Sequence, residues 1–343
     1  MDLQVVLVGV LGLALLMIVH ETGHLIAARA FGMRVIKFSI GFGPSIWRHQ
    51  PKDSTTVYQL ALIPFMAYVQ IAGMNPFEES DPTDKQSYGN ASLIGRITTI
   101  FAGPLANYLF ASVLYFAGFV IDGQPVQTLE VEVTKGSPAE RAMMQTGDKV
   151  LRVGVHQVKT WAELPEQIRP HPGETLEIEI ERKGTRKILS VVPERSREGN
   201  GQIGIAQTRM PMPILTAAKG SVIYPAQVAA YTILDLSHIA TGKKKLSMKD
   251  LAGPVAIVGE TGRAAKRGAG SFFVLLGTLS TFLGIFNLLP FPALDGGRLV
   301  FLGYEAVARR RPNAKIEAQI HAVGLAMLLL LIAVVTVFDI KGH

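Results

Sequence analysis

The feature that most constrains this chain is an apolar run that ends in a pair of histidines. Residues 3–19 are apolar except for Gln4, and the pentad HETGH follows directly at 20–24. In a helix, residues four positions apart lie on one face, so the two imidazoles could occupy two tetrahedral positions of a zinc ion. The glutamate beside them is suited to act as a general base. The stretch therefore predicts a hydrolytic metal site at the end of a membrane-length helix.

Two histidines on a helix are often only structural, and this alternative must be weighed. An ionisable residue at the centre of a bilayer costs about 2.5–3.5 kcal/mol on insertion scales, so it indicates a function by default. Zinc binding, worth about 10–16 kcal/mol in small zinc peptides, could offset that cost. The chain has no cysteine, so any metal must be held by His, Asp or Glu. A metal therefore explains His20, Glu21 and His24 better than a structural role does.

The composition predicts a polytopic membrane protein. Hydrophobic residues make up 48% of the 343 residues, which is high for a soluble protein. A spanning helix needs about 20 apolar residues, and the segments that meet this condition are 3–28, 97–121, 271–294 and 320–338. We expect the first to be a span and not a signal peptide, since it lacks a basic leader and a cleavage site. The net charge is +7, and the basic residues are scattered along the chain, which indicates contact with anionic lipid and no nucleic-acid partner.

The basic residues of one short loop predict the orientation in the membrane. Three arginines and a lysine lie between residues 309 and 315, so this link should be cytoplasmic. Both termini should then lie outside the cytoplasm, and spans one and three should run inward. This topology places the ends of these two spans, and any site built from them, at one depth near the cytoplasmic side.

A second motif, NLLPFPALDGG at 287–297, predicts the third metal ligand. Its prolines and glycines break the helix around Asp295, and irregular backbone at membrane depth is tolerated only in a protein interior or a cavity. An aspartate before two glycines can also be a simple helix cap, so the motif alone leaves both interpretations open. Its predicted depth, matched to His20 and His24, favours a ligand, with the fourth position kept for water.

These motifs together resemble the site-2 protease family of intramembrane zinc metalloproteases, in particular its bacterial members that regulate sigma-E. The resemblance also includes FAGPLAN at 101–107 and covers nearly the whole chain. It implies a protein of the bacterial inner membrane that acts in regulated intramembrane proteolysis. The implied site consists of Zn²⁺ held by His20, His24 and Asp295, with Glu21 as catalytic base, and of substrate-positioning residues Asn287, Pro290 and Pro292.

Residues 126–208 are polar and rich in strand-forming residues, and they are predicted to form one PDZ domain. The segment GSPAERA at 136–142, followed by Gly147 and Asp148, resembles the PDZ pattern. Ile203, Gly204 and Ile205 could form the loop that holds a peptide carboxylate by its backbone N–H groups. Alternatively, the domain is a size filter with an empty groove. The best-known sigma-E proteases carry two such domains, and this chain has room for one.

The segment 35–72 is predicted to form strands that dip into the membrane, as an element of the family does at this place. Residues 65–71, including Val69, are very apolar for a cytoplasmic loop. A strand edge that lines a wet cavity could pair with an unwound substrate and so bind it in extended form. The alternative is a sheet that only plugs the helix bundle.

The remaining boundaries follow from these elements. The membrane core is predicted to comprise residues 1–125 and 269–343, with an amphipathic region at 209–268 on the membrane surface. Lys219, Pro225, Asp235 and His238 argue against a fifth span there.

The predicted function is hydrolysis of peptide bonds in single-span membrane proteins, such as anti-sigma factors or remnant signal peptides. An upstream site-1 type protease is expected to trim these substrates first. Two alternatives belong to other classes: a metal transporter and a catalytically silent scaffold that presents its PDZ domain. Glu21 and a ligand cluster at a single depth argue against the transporter, and the presence of Glu21 and of all three predicted ligands argues against the scaffold.

Overall fold

The computed structural model describes residues 2–75, 83–125, 128–161, 163–196, 199–243 and 252–341. The chain forms two compact units. The first unit comprises residues 1–121 and 214–343, and the second comprises residues 122–213.

The helices are α1 (Leu3–Ala30), α2 (Leu93–Asp122), α3 (Pro138–Arg141), α4 (Glu163–Ile168), α5 (Ile214–Ala240), α6 (Pro254–Arg267), α7 (Ala269–Leu288), α8 (Asp295–Ala308) and α9 (Ala314–Lys341), with a short 3₁₀ helix at Tyr88–Asn90. The strands are β1 (Val35–His49), β2 (Val57–Ile71), β3 (Gln124–Pro125), β4 (Val131–Val133), β5 (Lys149–Val153), β6 (His156–Gln157), β7 (Leu176–Arg182), β8 (Thr185–Val191), β9 (Glu194–Arg195), β10 (Gly201–Gln202), β11 (Ile205–Gln207) and β12 (Arg209–Met210).

Among the described residues, four helices, α1, α2, α7 and α9, are long and apolar enough to cross a membrane. The predicted polytopic character is confirmed, with one difference at the third span. The prediction carried this span to residue 294, whereas α7 ends at Leu288 and α8 begins at Asp295. Pro290 and Pro292 explain the break, because proline lacks the N–H of a helical residue and its ring clashes with the preceding turn. Asp295 therefore lies in the first turn of a separate helix.

Helix α6 packs along α1 through glycines that let the two backbones approach closely. A Cβ atom at Gly9 would lie 2.9 Å from a side-chain carbon of Val258, and one at Gly262 would lie 2.7 Å from Cα of Val5. Small residues of this kind are typical of helix contacts in membranes. Asp339 of α9 accepts hydrogen bonds at the start of α6, from the N–H groups of Gly253 and Ala256 at 3.2 and 3.1 Å. The surface location predicted for residues 209–268 stays a prediction.

Strands β1 and β2 form a bent antiparallel pair beside α1. Phe38 lies opposite both Val69 and Tyr58, and Tyr58 also lies opposite His49. The bends thus place residues 67–71 at an outer edge, paired on one side with the beginning of β1. A core cluster of Leu25, Ala28, Met33, Val35, Phe38 and Ile71 joins this sheet to α1.

The second unit is built around a four-stranded sheet in the order β6-β5-β7-β8. Its core consists mainly of aliphatic side chains, including Val131, Val150, Ile178, Ile180, Val191 and Ile203. Asp148 is 1% exposed and accepts two hydrogen bonds of 2.6 Å from the Arg182 guanidinium. A sheet and two short helices are elements that a PDZ domain contains, and the PDZ assignment stays a prediction.

Candidate metal centre

The two histidines of the pentad lie on one buried face of α1. His20 and His24 are 4% and 5% exposed, and their Nε2 atoms are 3.2 Å apart. Helical geometry alone brings them together, because residues four apart are neighbours on a helix surface. The pair thus presents two nitrogen atoms to one point.

Asp295 reaches the same point from the first turn of α8. Its Oδ2 atom lies 3.1 Å from His20 Nε2 and 3.3 Å from His24 Nε2. The residue follows the proline-containing link, so the break in the helix positions this carboxylate. Within the part of the chain that the structure describes, this trio is the candidate metal-binding group.

The ring of His24 is oriented by a backbone carbonyl of α2. His24 Nδ1 lies 2.7 Å from the Thr99 oxygen, which can only accept a hydrogen bond. Nδ1 must therefore carry the proton, and in the neutral ring Nε2 then presents a lone pair. Holding the second nitrogen in this way is how proteins fix the tautomer of metal-binding histidines.

The ring of His20 is oriented by the buried amide of Asn107, also on α2. The amide lies 3.1 Å from His20 Nδ1, and its Oδ1 atom has no hydrogen-bond partner among the described residues. A half-turn of the amide would let Oδ1 accept the Nδ1 proton, which would satisfy both groups. Both imidazoles would then direct a lone pair from Nε2 toward Asp295.

This arrangement fits a zinc ion. Asp295 Oδ2 is buried and has no hydrogen-bond donor among the described residues. Three electron-rich atoms that face one another repel unless a cation lies between them. Zinc bonds of about 2.0–2.1 Å place tetrahedral ligand atoms about 3.3–3.4 Å apart. The observed separations of 3.1–3.3 Å are close to that value.

Gly103 allows α2 to approach the two imidazoles. A Cβ atom at this position would lie 2.5 Å from His24 Cε1 and 2.9 Å from His20 Cε1. Both distances are shorter than a non-bonded carbon contact. Only glycine therefore lets α2 bring Thr99 and Asn107 within hydrogen-bonding distance of the histidines.

Glu21 is held at the edge of the β1–β2 sheet. Its Oε2 atom accepts a hydrogen bond of 3.0 Å from the backbone N–H of Val69. One oxygen of the Glu21 carboxylate is thus hydrogen-bonded. Glu21 is adjacent to His20 in the sequence. Val69 was predicted to bind substrate, and in the structure its N–H group orients the predicted base.

Helix α8 is attached to α2 by a bidentate ion pair. The Arg96 guanidinium donates hydrogen bonds of 2.8 and 2.6 Å to Glu305, and the arginine is 6% exposed. These hydrogen bonds lower the pKa of Glu305. The pair connects the helix that carries Asp295 to the helix that orients the histidines.

The contacts given for the other predicted site residues do not involve His20, His24 or Asp295. Asn287 Nδ2 donates to the Leu283 carbonyl at 2.9 Å within its own helix, and Pro290 and Pro292 belong to the link before α8. In the second unit, Ile203 is buried in the core, Gly204 has φ +73° and Ile205 pairs with Val133. The substrate and peptide-binding roles of these residues stay predictions.

Thr99, Gly103 and Asn107 were not predicted as parts of the site. Gly103 and Asn107 fall within the FAGPLAN motif at 101–107, and a buried amide in an apolar span is itself a functional signal. Thr99 acts through its backbone oxygen, so its side chain gives no indication of the role.

Comparison with known proteins covers the segment that carries His20 and His24 as well as the segment that carries Asp295. A family model described as peptidase family M50 matches residues 8–331. Zinc metalloprotease RasP of Geobacillus kaustophilus is 30% identical over 94% of this chain and 94% of its own length. RasP of Oceanobacillus iheyensis is 29% identical over 97% of each chain. Protease RseP of Yersinia pestis is 26% identical over 94% of this chain and 95% of its own.

Proposed function

Because this chain belongs to peptidase family M50 and is an intramembrane zinc metalloprotease of the site-2 type, we propose that it cuts single-span proteins within the bacterial inner membrane. The observation that carries this proposal is the convergence of three metal-binding atoms at one point, with Asp295 Oδ2 3.1 Å from His20 Nε2. Glu21 lies next to His20 in the sequence and adds a carboxylate to this group.

In this proposal His20, His24 and Asp295 hold the zinc ion. The chemistry that zinc supplies when bound is Lewis-acid activation of water and of the scissile carbonyl. Glu21 takes a proton from the attacking water and transfers it to the leaving amine. The Val69 N–H, 3.0 Å from Glu21 Oε2, limits the orientations of that carboxylate.

The edge of β2 is proposed to bind the substrate as an added strand. A helical substrate must unwind before a protease can cut it, and a free strand edge can pair with the extended form. Backbone groups of alternate residues point to the same side of a strand. Since Val69 directs its N–H away from β1 to Glu21, that of Ala67 should also point outward.

Backbone methylation of the substrate tests this pairing. Single N-methyl groups are placed along a synthetic substrate, so that each removes one donor. Cleavage should fall at alternate positions and stay near normal at the positions between them. Uniform inhibition, or none, would contradict strand addition.

The proposed orientation has residues 309–315 in the cytoplasm and residues 126–208 outside, which is the side where a substrate's external domain lies. It is supported by the basic residues of the first segment. Reporter enzymes fused at these two places should give opposite localisations. The reverse assignment would place the metal centre toward the exterior.

Residues 126–208 are proposed to act as a size filter for substrates that an upstream protease has trimmed. The support is that these residues lie between the second and third spans in the sequence. A folded external domain of a substrate, about 25 Å or more across, would be too large to pass them. Replacing residues 127–207 by a short linker should permit cleavage of untrimmed anti-sigma factors or signal peptides. An unchanged preference for trimmed substrates would contradict the filter and favour peptide binding around Gly204.

The experiment that tests the function uses purified protein in liposomes with a trimmed single-span substrate. Cleavage within the span should stop with a chelator and return with zinc. The same vesicles report zinc uptake, so a transporter would accumulate metal without cutting the substrate. A silent scaffold would do neither.

A further inference from the structure

His321 of α9 makes a hydrogen bond that the proposed chemistry does not use. Its Nδ1 atom accepts the backbone N–H of Ala293 at 3.0 Å. Because Nδ1 accepts, the neutral ring carries its proton on Nε2. Nε2 is buried and has no hydrogen-bond partner among the described residues.

Ala293 has an unfavourable backbone conformation just before Asp295. Its φ is +77°, in the left-handed region that residues with a Cβ atom rarely adopt. Such a conformation persists only when the surroundings hold it in place. The link contributes a short turn, from the Leu294 N–H to the Phe291 carbonyl at 3.2 Å.

Helix α9 contacts the link at a second position close to His321. A Cβ atom at Gly324 would lie 2.6 Å from the carbonyl oxygen of Pro292. Since residues three apart lie on one face of a helix, α9 holds two consecutive link residues with one face. The ring of Phe301, on α8, lies 5.5 Å from the His321 ring and further limits its position.

An unpaired buried donor is unfavourable, because it loses its hydrogen bonds to water and gains none in the protein. A leucine at position 321 would avoid that penalty while filling similar space. Packing alone therefore does not account for a histidine here. Unlike leucine, histidine supplies an acceptor for the Ala293 N–H.

We propose that His321 is a positioning residue that holds Ala293 in the left-handed region and so directs Asp295 toward His20 and His24. The inference rests on the proposed role of Asp295 as a zinc ligand. Asp295 Oδ2 must lie within about a bond length of a fixed point, so a rotated link would remove it from the centre. His321 contributes to metal affinity without touching the metal.

Three variants of the full-length protein in detergent test the proposal: His321→Leu, His321→Asn and the double variant His321→Leu/Ala293→Gly. Asparagine can place its Oδ1 near the position of Nδ1 and keep the acceptor. Glycine adopts positive φ without penalty, so it should make the link less dependent on residue 321. Zinc affinity is measured by competition with a chromophoric chelator, and unfolding of the metal-free protein is measured by circular dichroism.

We expect His321→Leu to weaken zinc binding about 10- to 100-fold, the range for groups that orient metal ligands. His321→Asn should stay within about threefold of wild type, and the added glycine should recover part of the loss. Wild-type affinity in His321→Leu would overturn the proposal, as would an asparagine variant as weak as leucine or no recovery by glycine. A matching fall in metal-free unfolding temperature would assign His321 to the general fold and also overturn it.

Asp295→Ala in the same assay separates this inference from the proposed function. If it keeps wild-type zinc affinity, the ligand assignment itself fails. If it loses zinc while His321→Leu does not, only the role of His321 fails.

Discussion

The candidate metal centre of the first unit and the Asp148 site of the second unit both bury ionisable groups, but they satisfy them differently. Asp148 accepts two hydrogen bonds from Arg182 and one of 2.8 Å from the Gln145 N–H, so its charge is compensated within the chain. Asp295 instead faces two imidazole nitrogens, and its Oδ2 has no donor among the described residues. Buried polar groups are normally satisfied, so the comparison separates a structural ion pair from a site that needs a cation.

The largest expected effect is a loss of cleavage at the candidate metal centre with metal binding unchanged. Glu21→Gln should lower cleavage by about 10²- to 10⁴-fold, because an amide cannot take the proton of the attacking water. The zinc content should stay at the wild-type level, which metal analysis of the purified variant measures. An active variant would exclude Glu21 as the base.

Gly103→Ala should disrupt the same site without removing a polar group. The added methyl group would meet the His24 ring at 2.5 Å, so α2 must move away from the imidazoles. We expect zinc affinity to fall about 10- to 100-fold, as when other groups that orient metal ligands are lost. Gly303→Ala on α8 is the matched control, because no atom lies within 4 Å of its added Cβ. Equal affinity in the two variants would show that the approach of α2 does not matter.

The Asp148–Arg182 ion pair should show the opposite behaviour, a loss of stability without a loss of zinc affinity. Asp148→Asn should lower the stability of the second unit by about 1.5–3 kcal/mol, the range for hydrogen bonds to charged groups. Zinc affinity should not change. Denaturant unfolding measures the first quantity. Arg186→Gln is the control, since its exposed contact of 3.5 Å with Glu179 should contribute nothing measurable. A loss of zinc in Asp148→Asn would break the comparison.

The ion pair also predicts a pH dependence of smaller size. Burial opposes ionisation of Asp148, but the hydrogen bonds from Arg182 and the Gln145 N–H, together with the charge of Arg182, outweigh it and hold the pKa of this carboxyl below its ordinary value of 3.8. The folded state therefore gains stability above that pH and loses it as the pH falls through the lowered pKa. In Asp148→Asn this part of the acid sensitivity should disappear.

The sequence predicted the parts of the centre that depend on local geometry. The spacing of His20 and His24 places both on one helix face in any helical structure, and Pro290 and Pro292 end α7 wherever it packs. The identity of Asp295 as the third member followed from matching depths. The four spans could also be predicted, because length and hydropathy determine them.

The remaining parts depend on how separate helices meet, which spacing does not reveal. The Thr99 carbonyl, the space at Gly103 and the contact of His321 with Ala293 arise from helices far apart in the sequence. The positive φ of Ala293 was equally hidden, since alanine carries no indication of such a conformation. Asn107 is intermediate, because a lone amide in an apolar span indicates a role but not its partner.

The central claim is that His20, His24 and Asp295 form a site that a zinc ion completes. The most direct test compares the zinc affinity of wild-type protein and Asp295→Ala by chelator competition, with Asp148→Asn as the control. We predict that wild-type and control bind about one zinc per chain, as expected for a mononuclear site, and that Asp295→Ala binds it far more weakly. Equal affinity in all three proteins would contradict the account.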